Sequence, residues 1–168
     1  DGSNMTMINS TGNMTFTQAT DDGDMIFKCD DGSGGVTAYL TLDGSATKTL
    51  FNKNTEHQDS IKGQFGDSGD FSLYHNGTNS YIENDTGDLY IRNNVDDKDI
   101  IFQSDDGSGG VETYFYLDGS LNSGNYPITV FPDNSSIALG TGRDMYLVHN
   151  GTDTNITNYV GHINIFNR

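Results

Sequence analysis

Asp30 and Asp31 head the seven-residue word DDGSGGV at residues 30–36, and Asp105 and Asp106 head the same word at residues 105–111. Paired carboxylates beside glycines present hard oxygen ligands, from side chains and from backbone carbonyls that glycine can fold inward. That is the chemistry of calcium capture. The spacing is not that of an EF-hand loop, which needs D-x-[DN]-x-[DN]-G and a later glutamate, and it echoes the calcium-binding nonapeptides of β-helical proteins only faintly. The competing reading of the same letters is a turn, in which Asp accepts hydrogen bonds from nearby backbone and Gly takes positive φ without steric cost. Calcium at Asp30, Asp31, Asp105 and Asp106 therefore stands as an expectation beside a structural turn. No other cofactor is expected. The clusters DDGD at residues 21–24 and DDKD at residues 96–99 read as solvated turns.

Tyrosines interleaved with Asn and Asp can grip a glycan through ring faces and hydrogen bonds. Tyr74, Tyr81, Tyr90, Tyr114 and Tyr116 are the candidates. Tyrosines also pack along β-surfaces for structural reasons alone. His75 and His149 stand at equivalent places before Asn-Gly-Thr, while His57 and His162 have no repeat partner; strand-end histidines of this kind read as exposed side chains. Catalysis needs a base oriented beside a nucleophile or two positioned carboxylates. The many acids here offer no distinctive pair, so no catalytic residue is assigned. Cys29 is the single cysteine and aligns with Ser104, so it reads as a small side chain with no disulfide partner in the chain.

The chain holds 24 acidic residues against 8 basic, a formal charge of −16, which repels phosphate backbones and anionic membranes and argues against nucleic-acid partners. Eight Asn-x-Ser/Thr sequons occur, but a chain this rich in Asn and Thr supplies many by chance. No run of about 18 apolar residues is present, so membrane insertion is not expected, nor is a secretory signal. The chain opens at Asp1 rather than methionine, as expected of a piece of something longer.

These residues must be positioned by a repeat. Residues 1–45 laid over residues 76–120 give 22 identities without a gap, and LYHNGT at residues 73–78 returns as LVHNGT at residues 147–152. The units are read as 1–75, 76–149 and a partial third at 150–168, within one continuous fibrous domain. Between residues 46 and 64 the repetition weakens, yet KTLF at residues 48–51 resembles ITVF at residues 128–131, with insertions on either side that roughly cancel.

Short apolar or alternating runs recur within each unit, at residues 71–75, 80–83, 88–92, 99–103 and 111–117, separated by Asn-Gly, Thr-Gly, Asp-Asp and Asp-Gly. In DLYIR at residues 88–92, Leu89 and Ile91 fall on one face, as a strand's period of two requires. Helical periodicity is absent, so the expected class is all-β. Leu, Ile, Val and Phe make up only 36 of 168 residues, too few for a large core within one chain. An elongated fibre follows: an intertwined homotrimeric β-prism or β-helix with a shared core, or alternatively a single-chain β-solenoid.

The wording YHNGTNSYIENDTGDLYIRN followed by DIIFQSDDGSGGVETYFYLDGS resembles repeats of tail-fibre and related virion structural proteins of marine bacteriophages, over the whole chain. The resemblance implies a structural appendage of the virion, a homotrimer joined to other virion proteins, with exposed loops contacting a host receptor that it leaves unnamed; a host-surface glycan is the partner the tyrosines suggest. It supplies no catalytic motif. The alternatives are a carbohydrate-binding module or adhesin repeat and, more weakly, a tail-spike glycan depolymerase.

Overall fold

The computed structural model describes residues 4–120 and 126–166, and these are all-β, with no helix among them. Twelve strands form four three-stranded sheets, each an antiparallel meander of strands consecutive in sequence. The chain divides into two compact units at Asp88/Leu89. The first holds β1 (Met25–Asp30), β2 (Val36–Asp43) and β3 (Lys48–Phe51) in one sheet, and β4 (Gly63–Phe65), β5 (Phe71–His75) and β6 (Ser80–Asn84) in another. The second holds β7 (Ile100–Asp105), β8 (Val111–Asp118) and β9 (Ile128–Val130), then β10 (Ser136–Leu139), β11 (Met145–His149) and β12 (Thr154–Asn158).

Register makes the duplication a structural one. Asp30 pairs with Val36 and Asp105 with Val111, a shift of 105 − 30 = 75. Lys48 pairs with Asp43 and Ile128 with Asp118, a shift of 128 − 48 = 80, which sets KTLF over ITVF as expected. Gly63, Leu73 and Ile82 form a cross-strand row matched by Ile137, Leu147 and Ile156, a shift of 74. The chain thus gains five residues before the third strand of the unit and loses six after it. The two length changes flank one strand, so neither disturbs a ladder.

Each sheet carries an apolar face, because cross-strand partners share a side. Met25, Phe27, Leu40, Leu42 and Phe51 line one sheet, and Ile100, Phe102, Phe115, Leu117 and Phe131 its copy, where Phe115 stacks between Phe102 at 4.5 Å and Phe131 at 5.6 Å. Phe65, Phe71, Leu73 and Ile82 line the third, and Ile137, Leu139, Met145, Leu147 and Ile156 the fourth.

These faces stay open: no described hydrophobic residue is buried, and Phe65, Ile82 and Ile156 are 58, 64 and 62% exposed. The accessible surface is 14344 Å². Two compact bodies of half the chain's mass each would together expose only about 9,800 Å². In the first unit Met7 and Phe16 line hollows with Met25, Phe27 and Leu42, yet Phe27 and Leu42 stay 50 and 40% exposed.

Two expectations are corrected. None of the sheets closes, and the ladders are antiparallel between sequence neighbours, whereas stacked solenoid rungs pair in parallel, so the described residues do not form the single-chain solenoid. DLYIR at residues 88–92 alternates as a strand should but belongs to none. The same holds for its counterparts at residues 13–17 and 162–166, which carry Met14 and Phe16, then Ile163 and Ile165. Alternation sets which side chains share a face, but a strand also needs a ladder of backbone hydrogen bonds, and these segments enter none of the four sheets.

Candidate functional site

The repeated DDGSGG word is a closed hydrogen-bonded turn. Asp31 Oδ1 accepts from the Ser33 amide (2.8 Å), the Ser33 hydroxyl (2.7 Å) and the Gly35 amide (3.0 Å), and Asp106 Oδ1 repeats this with Ser108 and Gly110 at 2.7, 2.8 and 3.0 Å. Asp30 and Asp105 each accept the amide two residues on, at 2.9 Å. Gly34 at φ 90° and Gly109 at φ 91° supply the reversal that an L side chain resists.

The serine hydroxyl, followed by the serine and glycine amides, holds the carboxyls of Asp31 and Asp106 below the usual carboxylate value of 3.8. The four calcium candidates thus lie as two separate pairs, one in each unit. No group of three or more His, Cys, Asp or Glu suited to a metal occurs among the described residues.

The turn also aims a tyrosine. A register shift after Phe27 and after Phe102 leaves Tyr39 and Tyr114 as the extra residues of a bulge, and each hydroxyl donates to the carbonyl of Asp30 or Asp105 at 2.9 Å. Bulges re-aim side chains in this way. In the second unit the bulge sets Tyr114 into a groove of about 520 Å³ whose lining includes Asp106, Glu112, Asp133, Arg143 and Tyr146.

The groove's far wall is pinned. Ser135 Oγ donates to the Tyr114 carbonyl at 2.5 Å, and the Asn134 amide donates to the His149 carbonyl at 2.7 Å. Asp133 Oδ1 lies 2.8 Å from His149 Nδ1, and Asp59 stands likewise 3.0 Å from His75 Nδ1. In both pairs a glycine amide also approaches that nitrogen, from Gly77 at 3.1 Å and Gly151 at 3.2 Å. A protonated Nδ1 serves the carboxylate and an unprotonated one the amide, so the ring holds the turn through either. The histidines are half-exposed, 46% in each pair.

The other glycan candidates are not brought together with Tyr114 in this groove. Tyr74 and Tyr81 sit opposite each other on β5 and β6 with rings stacked at 4.9 Å, and the Lys62 ammonium lies 4.4 Å from the Tyr74 ring while bridging to Glu83 at 2.7 Å. The Glu83 hydrogen bond, the largest cause, raises the Lys62 pKa. Tyr116 pairs with Ile101 and Val130 and lines a separate hollow with Asp99 and Pro132. Tyr90 lies outside the strands and is 75% exposed.

Sequence reasoning missed Glu112, Asp133, Arg143 and Tyr146. The signal was present in the offsets: at the same repeat positions the first unit has Thr37, Asp59, Gly69 and Ser72. Comparison of the chain with protein-family models, with curated proteins and with solved structures returned no match.

Proposed function

We propose that this chain is a non-enzymatic structural fibre protein of a bacteriophage virion, built as a homotrimer whose sheets form the walls of a shared three-sided core. The observation that carries the assembly is the set of open apolar faces on all four sheets. With no described hydrophobic residue buried, the chain's own fold leaves its main stabilising term unused. The excess over two compact bodies, about 4,500 Å², matches the larger obligate interfaces rather than a transient contact.

The segments at residues 13–17, 88–92 and 162–166 fit the same reading. Each carries strand alternation, and the meanders leave β1, β3, β4, β6, β7, β9, β10 and β12 as open edges. An edge strand is a template for pairing with another chain. In the fibre, these segments pair with edges of neighbouring copies and intertwine the trimer. The place in a virion, the other virion proteins it joins and a host-surface receptor rest on the resemblance of its repeats to phage tail-fibre repeats.

The test is the mass in solution. Light scattering after size exclusion should give a trimer near 55 kDa, three times the 18.3 kDa of one chain. A monodisperse monomer at micromolar concentration would sink the proposal.

A further inference from the structure

The geometry points to the groove between the β7-β8-β9 and β10-β11-β12 sheets as a binding site for a neutral saccharide, with Tyr114 and Tyr146 as ring surfaces and Arg143, Asp106 and Glu112 as hydrogen-bonding groups. The groove lies within one unit of one chain, so the inference does not depend on the fibre assembly.

The two halves of the duplication diverge at this place. In the first unit, seven residues separate Phe51 from Asp59, and that loop folds over the bulged tyrosine: the Asn52 amide donates to the Tyr39 carbonyl at 2.9 Å, and the Lys53 ammonium stands 5.9 Å from the Tyr39 ring. Ser72, the counterpart of Tyr146, is 1% exposed there. In the second unit the loop shrinks to Pro132 alone, and the space it vacates is the groove.

The substitutions at the same positions change the chemistry together. Gly69 becomes Arg143, Ser72 becomes Tyr146 and Thr37 becomes Glu112. Arg143 adopts φ 57°, close to the 72° of Gly69, so an L side chain occupies a backbone state that favours glycine. Such a backbone state is strained for an L side chain and is a pointer to function when the side chain meets a site. Arg143 forms no ion pair among the described residues, and it lines the groove.

A saccharide matches this lining better than an ion does. Its C–H faces carry partial positive charge and suit the electron-rich face of a tyrosine ring, while its hydroxyls both donate and accept. Guanidinium supplies donors and carboxylates supply acceptors. Asp106 Oδ1 is held by its turn, which fixes this carboxylate in place in the groove lining. Tyr114 is held at both ends of its residue, by its hydroxyl on Asp105 and its carbonyl on Ser135, so the ring is ordered before a ligand arrives. Three carboxylates against one guanidinium, in a chain of charge −16, disfavour uronic and sialic acids and leave neutral sugars.

The experiment uses the full chain on an array of neutral and acidic oligosaccharides, followed by calorimetric titration of the strongest neutral ligand. Two variants restore the first unit's residues, Arg143→Gly and Tyr146→Ser. Both are compatible with this backbone, since the other copy carries them. Saturable binding of a neutral oligosaccharide is expected, weakened about tenfold or more by each variant. Three results would each overturn the inference: no neutral sugar bound, acidic sugars bound in preference, or affinity unchanged in both variants. None of them alters the mass in solution, so failure here and failure of the trimer are told apart.

Discussion

Replacing Ile82 by Ala tests whether the open sheet faces are subunit interfaces. Ile82 lies on β6 in a row with Leu73 and Gly63 and is 64% exposed in the chain alone. The substitution removes three carbon groups, worth about 2.4 kcal/mol if fully desolvated, hence about 1.5 kcal/mol for the exposed fraction. Three copies lose about 4.5 kcal/mol per trimer, about a 2,000-fold fall in the association constant. For three associating chains the dissociation midpoint scales as the square root, so it should rise about 45-fold.

Sedimentation velocity over a dilution series reads this directly, in enough urea to bring the unsubstituted midpoint into the micromolar range. Glu83→Gln, one residue along on the opposite face of β6, is the control and should leave the midpoint in place. The side chain of Ile82 is exposed within its own chain, so the circular dichroism of the variant should be unchanged. A midpoint that moves less than about threefold in Ile82→Ala, when about 45-fold is expected, would refute the assignment of this face.

Other outcomes follow from the turns. The carboxyls of Asp31 and Asp106 are held below 3.8 in the fold, so their contribution to stability is present above that value and lost as pH falls through the lowered one. Thermal melts between pH 5 and 2.5 should show that loss, and the double variant Asp31→Ala, Asp106→Ala should flatten it. Gly109→Ala meets nothing within 4 Å, so its cost is only that of placing alanine at φ 91°, about 1 kcal/mol. Gly119→Ala would drive its Cβ into the Lys98 carbonyl oxygen, and its melting temperature should fall further than that of Gly109→Ala. Chelation of calcium should leave the melting midpoint unmoved, because the turn's own donors already hold Asp31 and Asp106; a clear fall would assign the DDGSGG turns to the ion.

Much of the architecture was legible without coordinates. Phe71, Leu73 and the rest of the 71–75 run form β5, and the runs near residues 80, 100 and 111 form β6, β7 and β8, because alternation of large apolar side chains between Gly and Asn turns leaves the backbone few other options. The cancelling insertions around KTLF and ITVF were legible too. DLYIR was misread, since a period of two reports a face and not a partner. The pairing of Asp59 with His75 was hidden because it spans the least repetitive stretch, and its copy at Asp133 and His149 becomes visible only when the shift changes from 80 to 74.

Composition, charge and repeat determined by themselves that the chain is all-β, acidic, duplicated and short of a core of its own, because each follows from residue types and their spacing along one strand. Tertiary structure alone decided which side chains meet. The groove joins Tyr114 on a bulge, Arg143 on a positive-φ turn and Tyr146 on a later strand, and it is open because one loop is six residues shorter. A loop deletion is visible in a sequence, but the space it vacates is a property of two sheets brought together.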